Sequence, residues 1–348
     1  MRPIVWARPA SLTLPPLPEQ DAPGRWSCFR DTEAPAKTDL NAEEIKAALE
    51  SGKGTLWVDI DMRNPEDVAL LSDVFHFHPL AIEDSLNPQS RVKIEEYNGF
   101  LILIVRTIAF LEQTDDPYDI ETVNLTCFLG KNFLVTVHGG QTSPVDATRE
   151  LLKRKPELAE AGPARLMHAV VDEAVNAYFP ILDQLDTFVD GLEERVFGSF
   201  DQTALREIFS VKRLVLTLRR HLAPERDVFS VLTNRPSTLL TVDTQVYFRD
   251  IFDHILRIND ALETYRELLS NTLDSYLTQV SNRLGTITKA LSVVATVSLP
   301  FVVVSGMWGM NFDKIPLSHT SHGFWTMLVV QLGLGALLLI FLRWRKLL

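Results

Sequence analysis

The chain has 348 residues, too many for one small domain, and its 45 acidic against 34 basic side chains leave a formal net charge of −11. So acidic a chain argues against nucleic acid as a partner and suits cations, whose local concentration a negative field raises. No nucleophile elbow, phosphate-binding glycine loop, zinc-hydrolase helix or pair of catalytic carboxylates at readable spacing is present, which argues against an enzyme. The two cysteines, Cys28 and Cys127, stand in no redox or metal-ligand spacing and read as thiols of a reducing compartment.

Residues 1–24 are proline-rich, with Pro15-Pro16-Leu17-Pro18 and no continuous apolar centre, and predict irregular chain without a secretion signal. Residues 25–160 mix strand and helix patterns. Thr55 to Asp61 predicts a strand, and Pro65 to Phe77 a helix capped by Asn64 with proline in its first turn. Phe100 to Phe110 and Asn132 to Val137 predict buried strands, with Val123 to Leu129 joining them. This part reads as an α/β or α+β soluble domain.

Residues 161–240 are helical in pattern. Asp172, Glu173, Asp183, Asp186, Asp190, Glu193 and Glu194 make the first half acidic, and Arg206, Lys212, Arg213, Arg219 and Arg220 make the second half basic. Gly198-Ser199-Phe200-Asp201 between them predicts a turn and a new cap, so an antiparallel helix pair of opposite charge fits. Both charge runs are equally readable as solvated helix faces or as a source of cation attraction.

Residues 241–311 lack glycine until Gly285 and proline until Pro300, with apolar residues at helical spacing. A single helix of that extent is about 105 Å long, far more than a bilayer, so it predicts a stalk that enters the membrane. Ala290 to Met310 and Gly323 to Leu342 contain no ionisable side chain. Each reaches the roughly 20 residues a helix needs to cross a bilayer. Residues 312–322 form the loop between them, and 323–348 the second span with its basic tail. Arg283 and Lys289 precede the first span, Arg343, Arg345 and Lys346 follow the second, and the loop holds only Lys314. Both ends are therefore expected in the cytoplasm and the loop outside.

Stepping along the stalk by three or four residues from Asp274 gives Thr278, Ser281, Gly285, Thr288, Ser292, Ala295, Leu299, Val302, Gly306 and Gly309. A polar stripe on a membrane helix faces another helix or water, not lipid. The water-lined reading needs an oligomer, because two helices per chain enclose no pore. At the far end stands Gly309-Met310-Asn311. Mg2+ dehydrates reluctantly, and a ring of neutral carboxamides at Asn311 suits its retained waters while binding weakly enough to release the hydrated ion. Leu299 and Val302 lie deeper and suit an apolar constriction that closes by dewetting.

The Gly-Met-Asn run between two C-terminal spans resembles the CorA-type divalent-cation transport proteins. The similarity extends to Tyr247-Phe-Arg-Asp250, Asp274-Ser-Tyr-Leu277, Ser281-Asn-Arg283, Ala295-Thr296 before Pro300, and His78-Pro79-Leu80, Glu83-Asp84 and Arg91-Val92-Lys93. It implies an α+β membrane protein: a cytoplasmic αβα domain, a long stalk helix continuing into the first span, and a funnel-shaped homopentamer in the inner membrane. It implies Mg2+ as substrate and regulatory ligand, with Co2+ or Ni2+ tolerated. Gly309, Met310 and Asn311 become the selectivity filter, Leu291 and Leu299 gate positions, and Asp274 an acidic ring. Asp84 and Asp250, with Glu83, become metal-sensing carboxylates shared between subunits, for which surface salt bridges are the alternative. The chain departs from the family at Gly285, where asparagine is frequent, at Thr288, where a bulky gate residue is typical, at Val302, often threonine, and at Leu317, where many members carry an acid. In the loop, Asp313, His319 and His322 suit Zn2+ if they converge around a ring, or are solvated. Zn2+ transport and a non-conducting membrane-anchored metal sensor are the alternative functions.

Overall fold

The computed structural model describes residues 25–31, 36–110, 120–140, 143–198, 202–234, 237–310 and 320–345. Contacts divide the chain into two compact units, Met1–Val189 with Phe209–Leu268, and Asp190–Ile208 with Leu269–Leu348.

The first unit is built on a mixed sheet of seven strands. They are β1 (Trp26–Arg30), β2 (Lys37–Thr38), β3 (Thr55–Asp61), β4 (Lys93–Tyr97), β5 (Phe100–Phe110), β6 (Ile120–Gly130) and β7 (Phe133–His138), in the spatial order β2-β1-β3-β7-β6-β5-β4. The central pair β3 and β7 is parallel, in register from Leu56 opposite Phe133 to Asp61 opposite His138. The other neighbours are antiparallel. Every residue of β3 is buried, as a strand covered on both faces requires.

Leu56, Val58 and Ile60 face one layer, with α1 (Ala42–Ser51), α2 (Pro65–Asp73) and α3 (Pro79–Leu86). Asn41 and Glu44 form a capping box on α1, and Gly52, at φ 62°, ends it in the left-handed region. Asn64 caps α2 with Pro65 in the first turn, as expected from the sequence. The helix stops at Asp73, four residues before Phe77, because His76 turns to φ 53°. That turn drives Phe77 inward, where its ring stacks on Phe128 at 4.2 Å.

The opposite face meets α6 (Pro163–Asn176), whose Leu166, Met167, Val170, Val171 and Ala174 are buried, beside α4 (Ser143–Arg154) and the short α5 (Glu157–Glu160). A domain boundary near residue 160 would cut this layer from its sheet, and the compact unit runs past it. On this face Asp59 is held by Arg149, by the Thr136 hydroxyl and by His138 Nε2 at 3.1 Å. Thr136 Oγ1 also accepts the Trp57 indole N–H at 3.1 Å. A buried carboxylate persists when paired and hydrogen-bonded in this way.

Three further helices continue the chain: α7 (Phe179–Gly198), α8 (Gln202–Asn234) and α9 (Val242–Trp308). The basic run falls on α8, but the acidic run is divided by a break at Ala177-Tyr178, with Asp172 and Glu173 on α6 and the other five acids on α7. The ion pair between Arg195 and Glu207 runs opposite to the expected polarity, with its cation on α7. From the basic run, Arg219 pairs with Glu263 of α9 at 2.6 Å. The second unit also contains α10 (Gly323–Trp344).

Candidate ion pathway and metal-sensing carboxylates

α9 is a single helix of 67 residues. Pro300 leaves the carbonyl of Thr296 without its usual amide donor, yet the helix runs on to Trp308. Both α9 and α10 are long and apolar enough to cross a membrane, and the apolar windows of both are almost wholly exposed. Exposed leucine, valine and phenylalanine in such number are unsuited to water and suited to lipid or to a second copy of the chain.

α10 covers a defined side of α9. Val293, Val297, Phe301, Val304 and Trp308 are the half-buried residues of the apolar segment, and they recur at helical spacing. Gly335 abuts the Phe301 ring so closely that a Cβ there would lie 2.5 Å from Cζ. Over this span the stripe residues Ala295, Leu299 and Gly306 lie away from the covered side, and from Ser281 to Ser292 every residue of α9 is exposed. Leu299 and Phe301 point about 160° apart on a helix of 3.6 residues per turn. Asp274, Thr278, Ser281, Gly285, Thr288, Ser292, Ala295, Leu299, Val302, Gly306 and Gly309 are all exposed. Leu291, Leu299 and Val302 are 64–65% exposed, the condition of side chains whose neighbours come from elsewhere.

The stripe ends at a tightened helix terminus. The Gly309 N–H is shared between the carbonyls of Ser305 at 3.0 Å and Gly306 at 3.2 Å, and the Met310 N–H donates to Met307 at 3.3 Å. The last carbonyls of a helix lack helical donors and carry its negative dipole end, so this terminus favours a cation. Gly309 and Met310 are described and exposed; Asn311, Asp313 and His319 lie outside the described residues. His322 precedes α10, and its Nδ1 lies 2.9 Å from the Ser321 hydroxyl.

The expected sensing carboxylates do not meet within one chain in any described contact. Asp84, on α3, accepts from Lys93 Nζ at 2.6 Å, and Glu83 stands beside it. Asp250 is exposed on α9 and acts electrostatically on His168 of α6. The structure brings Asp250 instead to a group that the sequence reading missed. His168 and Asp172 lie one turn apart on α6, and Asp250 and His254 one turn apart on α9. His254 Nδ1 lies 3.9 Å from Asp172 Oδ1. His168 Nε2, Asp172 Oδ1 and His254 Nδ1 are buried atoms without a hydrogen-bond partner. Burial holds the His168 ring below its usual pKa, against the pull of Asp172. The two His/Asp pairs spaced by four were the readable signal; their convergence was not. Among the described residues no set of three or more His, Cys, Asp or Glu side chains is arranged to hold a metal ion.

A model of the CorA-like Mg2+ transporter proteins matches residues 52–345. The chain belongs to this family. Among its relatives, YfjQ of Bacillus subtilis is 32% identical over 280 residues, which are 80% of this chain and 86% of that protein. The cobalt/magnesium transport protein CorA of Thermotoga maritima is 28% identical over 292 residues, covering 83% and 82%. The solved CorA magnesium transporter of Methanocaldococcus jannaschii superposes with a TM-score of 0.80 at 21% identity, over 93% of this chain and 98% of that one. The CorA-like chain is therefore a divalent-cation transporter and not an enzyme. Its αβ domain, long helix and second apolar helix are the CorA fold.

Proposed function

We propose that the protein conducts hydrated Mg2+ across the inner membrane as a homopentamer with both termini cytoplasmic, tolerating Co2+ and Ni2+. One observation carries this reading: the stripe from Asp274 to Gly309 is exposed along its whole length, and where α10 packs, over residues 293–308, the stripe lies away from the covered side. Copies arranged around an axis bury that stripe against each other and against water. Asp274 then forms a cytoplasmic acidic ring, and Ser281, Gly285, Thr288 and Ala295 line the passage. Leu291, Leu299 and Val302 form apolar constrictions. Gly309, Met310 and Asn311 select the ion at the outer end, where helix-terminal carbonyls and carboxamides accept hydrogen bonds from its waters.

Gating rests on carboxylates that repel each other until a cation joins them. Glu83 and Asp84 of one subunit face Asp250 of the next in this reading, and bound Mg2+ favours the closed state by binding it more tightly. The Asp84–Lys93 pair is the competing arrangement that the ion must displace.

The test is Mg2+ flux into liposomes containing the full chain, with Co2+ and Zn2+ compared. Flux of Mg2+ that disappears in Asn311→Ala supports the reading. Metal binding without flux of any of the three ions identifies a sensor and overturns it.

A further inference from the structure

Phe301 is clasped from α10 at two points one turn apart. The ring lies against Gly335, where a Cβ would sit 2.5 Å from Cζ and 2.8 Å from Cε2. The Gln331 side-chain amide reaches the Phe301 carbonyl at 3.5 Å, a long hydrogen bond. Gln331 is only 8% exposed although most of α10 is open, and Gly335 is likewise buried. A carboxamide in a lipid-facing segment costs free energy unless it meets a polar partner on a neighbouring helix. A glycine lets an aromatic ring approach where any larger residue excludes it.

The position clasped is not arbitrary. Phe301 directly follows Pro300, where α9 lacks one backbone hydrogen bond and its rotation is least constrained by the helix itself. Leu299 and Val302, the exposed apolar pair of the stripe, flank this point in sequence. Rotating α9 about its axis here moves both side chains off the stripe direction. Beside the clasp, Val293, Val294, Val297, Ser298, Phe301 and Leu339 line an apolar cleft of about 480 Å3, and Val302, still 65% exposed, borders it, so packing around Phe301 is loose and leaves the rotation to Gln331 and Gly335.

We infer that Gln331 and Gly335 form a notch that receives Phe301 and fixes the rotation of α9 at its proline, so that Leu299 and Val302 face the conduction axis. They act through Phe301 and touch no ion, and are positioning residues. The inference rests on the transport reading above, but one of its readouts does not need transport.

Two measurements on the full chain test it. The first is Mg2+ entry into reconstituted liposomes. Gly335→Ala lowers the rate at least tenfold, and adding Phe301→Leu to it, which vacates the ring space, recovers the rate to within about threefold of wild type. The second is the labelling rate of Val302→Cys by a small water-soluble methanethiosulfonate; the native thiols, Cys28 and Cys127, are buried. Gly335→Ala slows that labelling at least fivefold, and Phe301→Leu restores it. If Gly335→Ala does not accumulate, Gln331→Leu is read in its place, with the same direction expected. Labelling within twofold of the parent in the notch variant overturns the inference, as does failure of Phe301→Leu to rescue. Absent flux in the wild type overturns the transport reading while the labelling result still decides the notch.

Discussion

Glu225 Oε1 accepts the backbone N–H of Arg106 at 2.8 Å, tying α8 to the edge of β5 beyond the reach of β4. The carboxyl is 1% exposed, and its Oε2 has no hydrogen-bond partner. Burial pushes its pKa up to about 8, against the lowering effect of the Arg106 amide and guanidinium. Around it stand Tyr178, whose hydroxyl reaches the Arg106 carbonyl at 3.4 Å, and His221, 2.8 Å from Arg106 Nη1. The His221 ring is lowered by its own burial and then by Arg106.

A raised acid pKa in the fold means that the neutral form is favoured there. Its stabilisation is complete below the ordinary value of 4.5 and is lost as pH rises through about 8. Between pH 6 and 9 this one group raises the local opening constant by roughly two orders of magnitude. Hydrogen exchange across 221–228, corrected for intrinsic rate, is therefore expected to quicken with pH in wild type and much less in Glu225→Gln, which keeps an acceptor for Arg106 without the proton. Equal pH slopes in the two proteins contradict the assignment.

The sequence shows best what is decided locally. Thr55 to Asp61 is a strand from end to end because its apolar side chains suit a two-sided sheet and its two carboxylates, Asp59 and Asp61, find cationic partners there. α9 is legible because nothing between Val242 and Gly285 breaks a helix. Less visible are features decided by distant partners. α8 passes through Pro224 because Val228, Phe229 and Leu232 beyond it are buried, and the loss of one hydrogen bond is outweighed. β4 reads Lys-Ile-Glu-Glu-Tyr, polar enough for a loop, and is a strand only because β5 offers its edge. At the site, the stripe on α9 follows from spacing alone, whereas the approach of His168 and Asp172 to Asp250 and His254 depends on how α6 and α9 pack.

The buried group at Asp59 makes a stability prediction. Arg149→Ala leaves a carboxylate, 3% exposed, with only Thr136 and His138 as partners. Removing one partner of a buried charge costs about 3–5 kcal/mol. Arg149→Ala is expected to lose that much in denaturant unfolding of the first unit, and Asp59→Asn with Arg149→Met markedly less, because no charge remains to be solvated.

Ion choice is expected to separate the filter from the loop. Asn311→Ala abolishes Mg2+ flux if its carboxamide contacts the hydrated ion. His319→Ala with His322→Ala leaves Mg2+ flux within about twofold and matters only if Zn2+ is carried, since imidazole is a ligand for Zn2+ and not for Mg2+. Zn2+ flux that falls in the double variant while Mg2+ flux is absent from wild type reverses the proposed preference.

Metal protection tests the sensing carboxylates. Mg2+ is expected to slow proteolysis of the full chain, and Asp250→Ala or Asp84→Ala to raise the protective concentration at least tenfold. Lys93→Met is expected to lower it, since Lys93 pairs with Asp84 at 2.6 Å and competes with a cation for that carboxylate. Asp172→Asn probes the newly recognised group: its Oδ1 is buried without a hydrogen-bond partner, 3.9 Å from His254 Nδ1. A shift like that of Asp250→Ala places Asp172 in the same sensing site, whereas an unchanged curve confines it to the α6–α9 packing.

Closure by dewetting makes a prediction of opposite sign to the others. Leu299 and Val302 project from the stripe just before and after the Phe301 clasp. An apolar ring excludes water from a narrow passage, and a polar side chain of similar size restores it. Leu299→Asn is therefore expected to increase Mg2+ flux several-fold at cytoplasmic Mg2+ high enough to close the wild type, with ion preference retained because the Gly309-Met310-Asn311 end is untouched. Val302→Thr, the smaller change, is expected to act in the same direction and more weakly. A drop in flux for Leu299→Asn, measured in liposomes preloaded with Mg2+, removes this position from the gate and leaves Leu291 and Val302 as the constrictions.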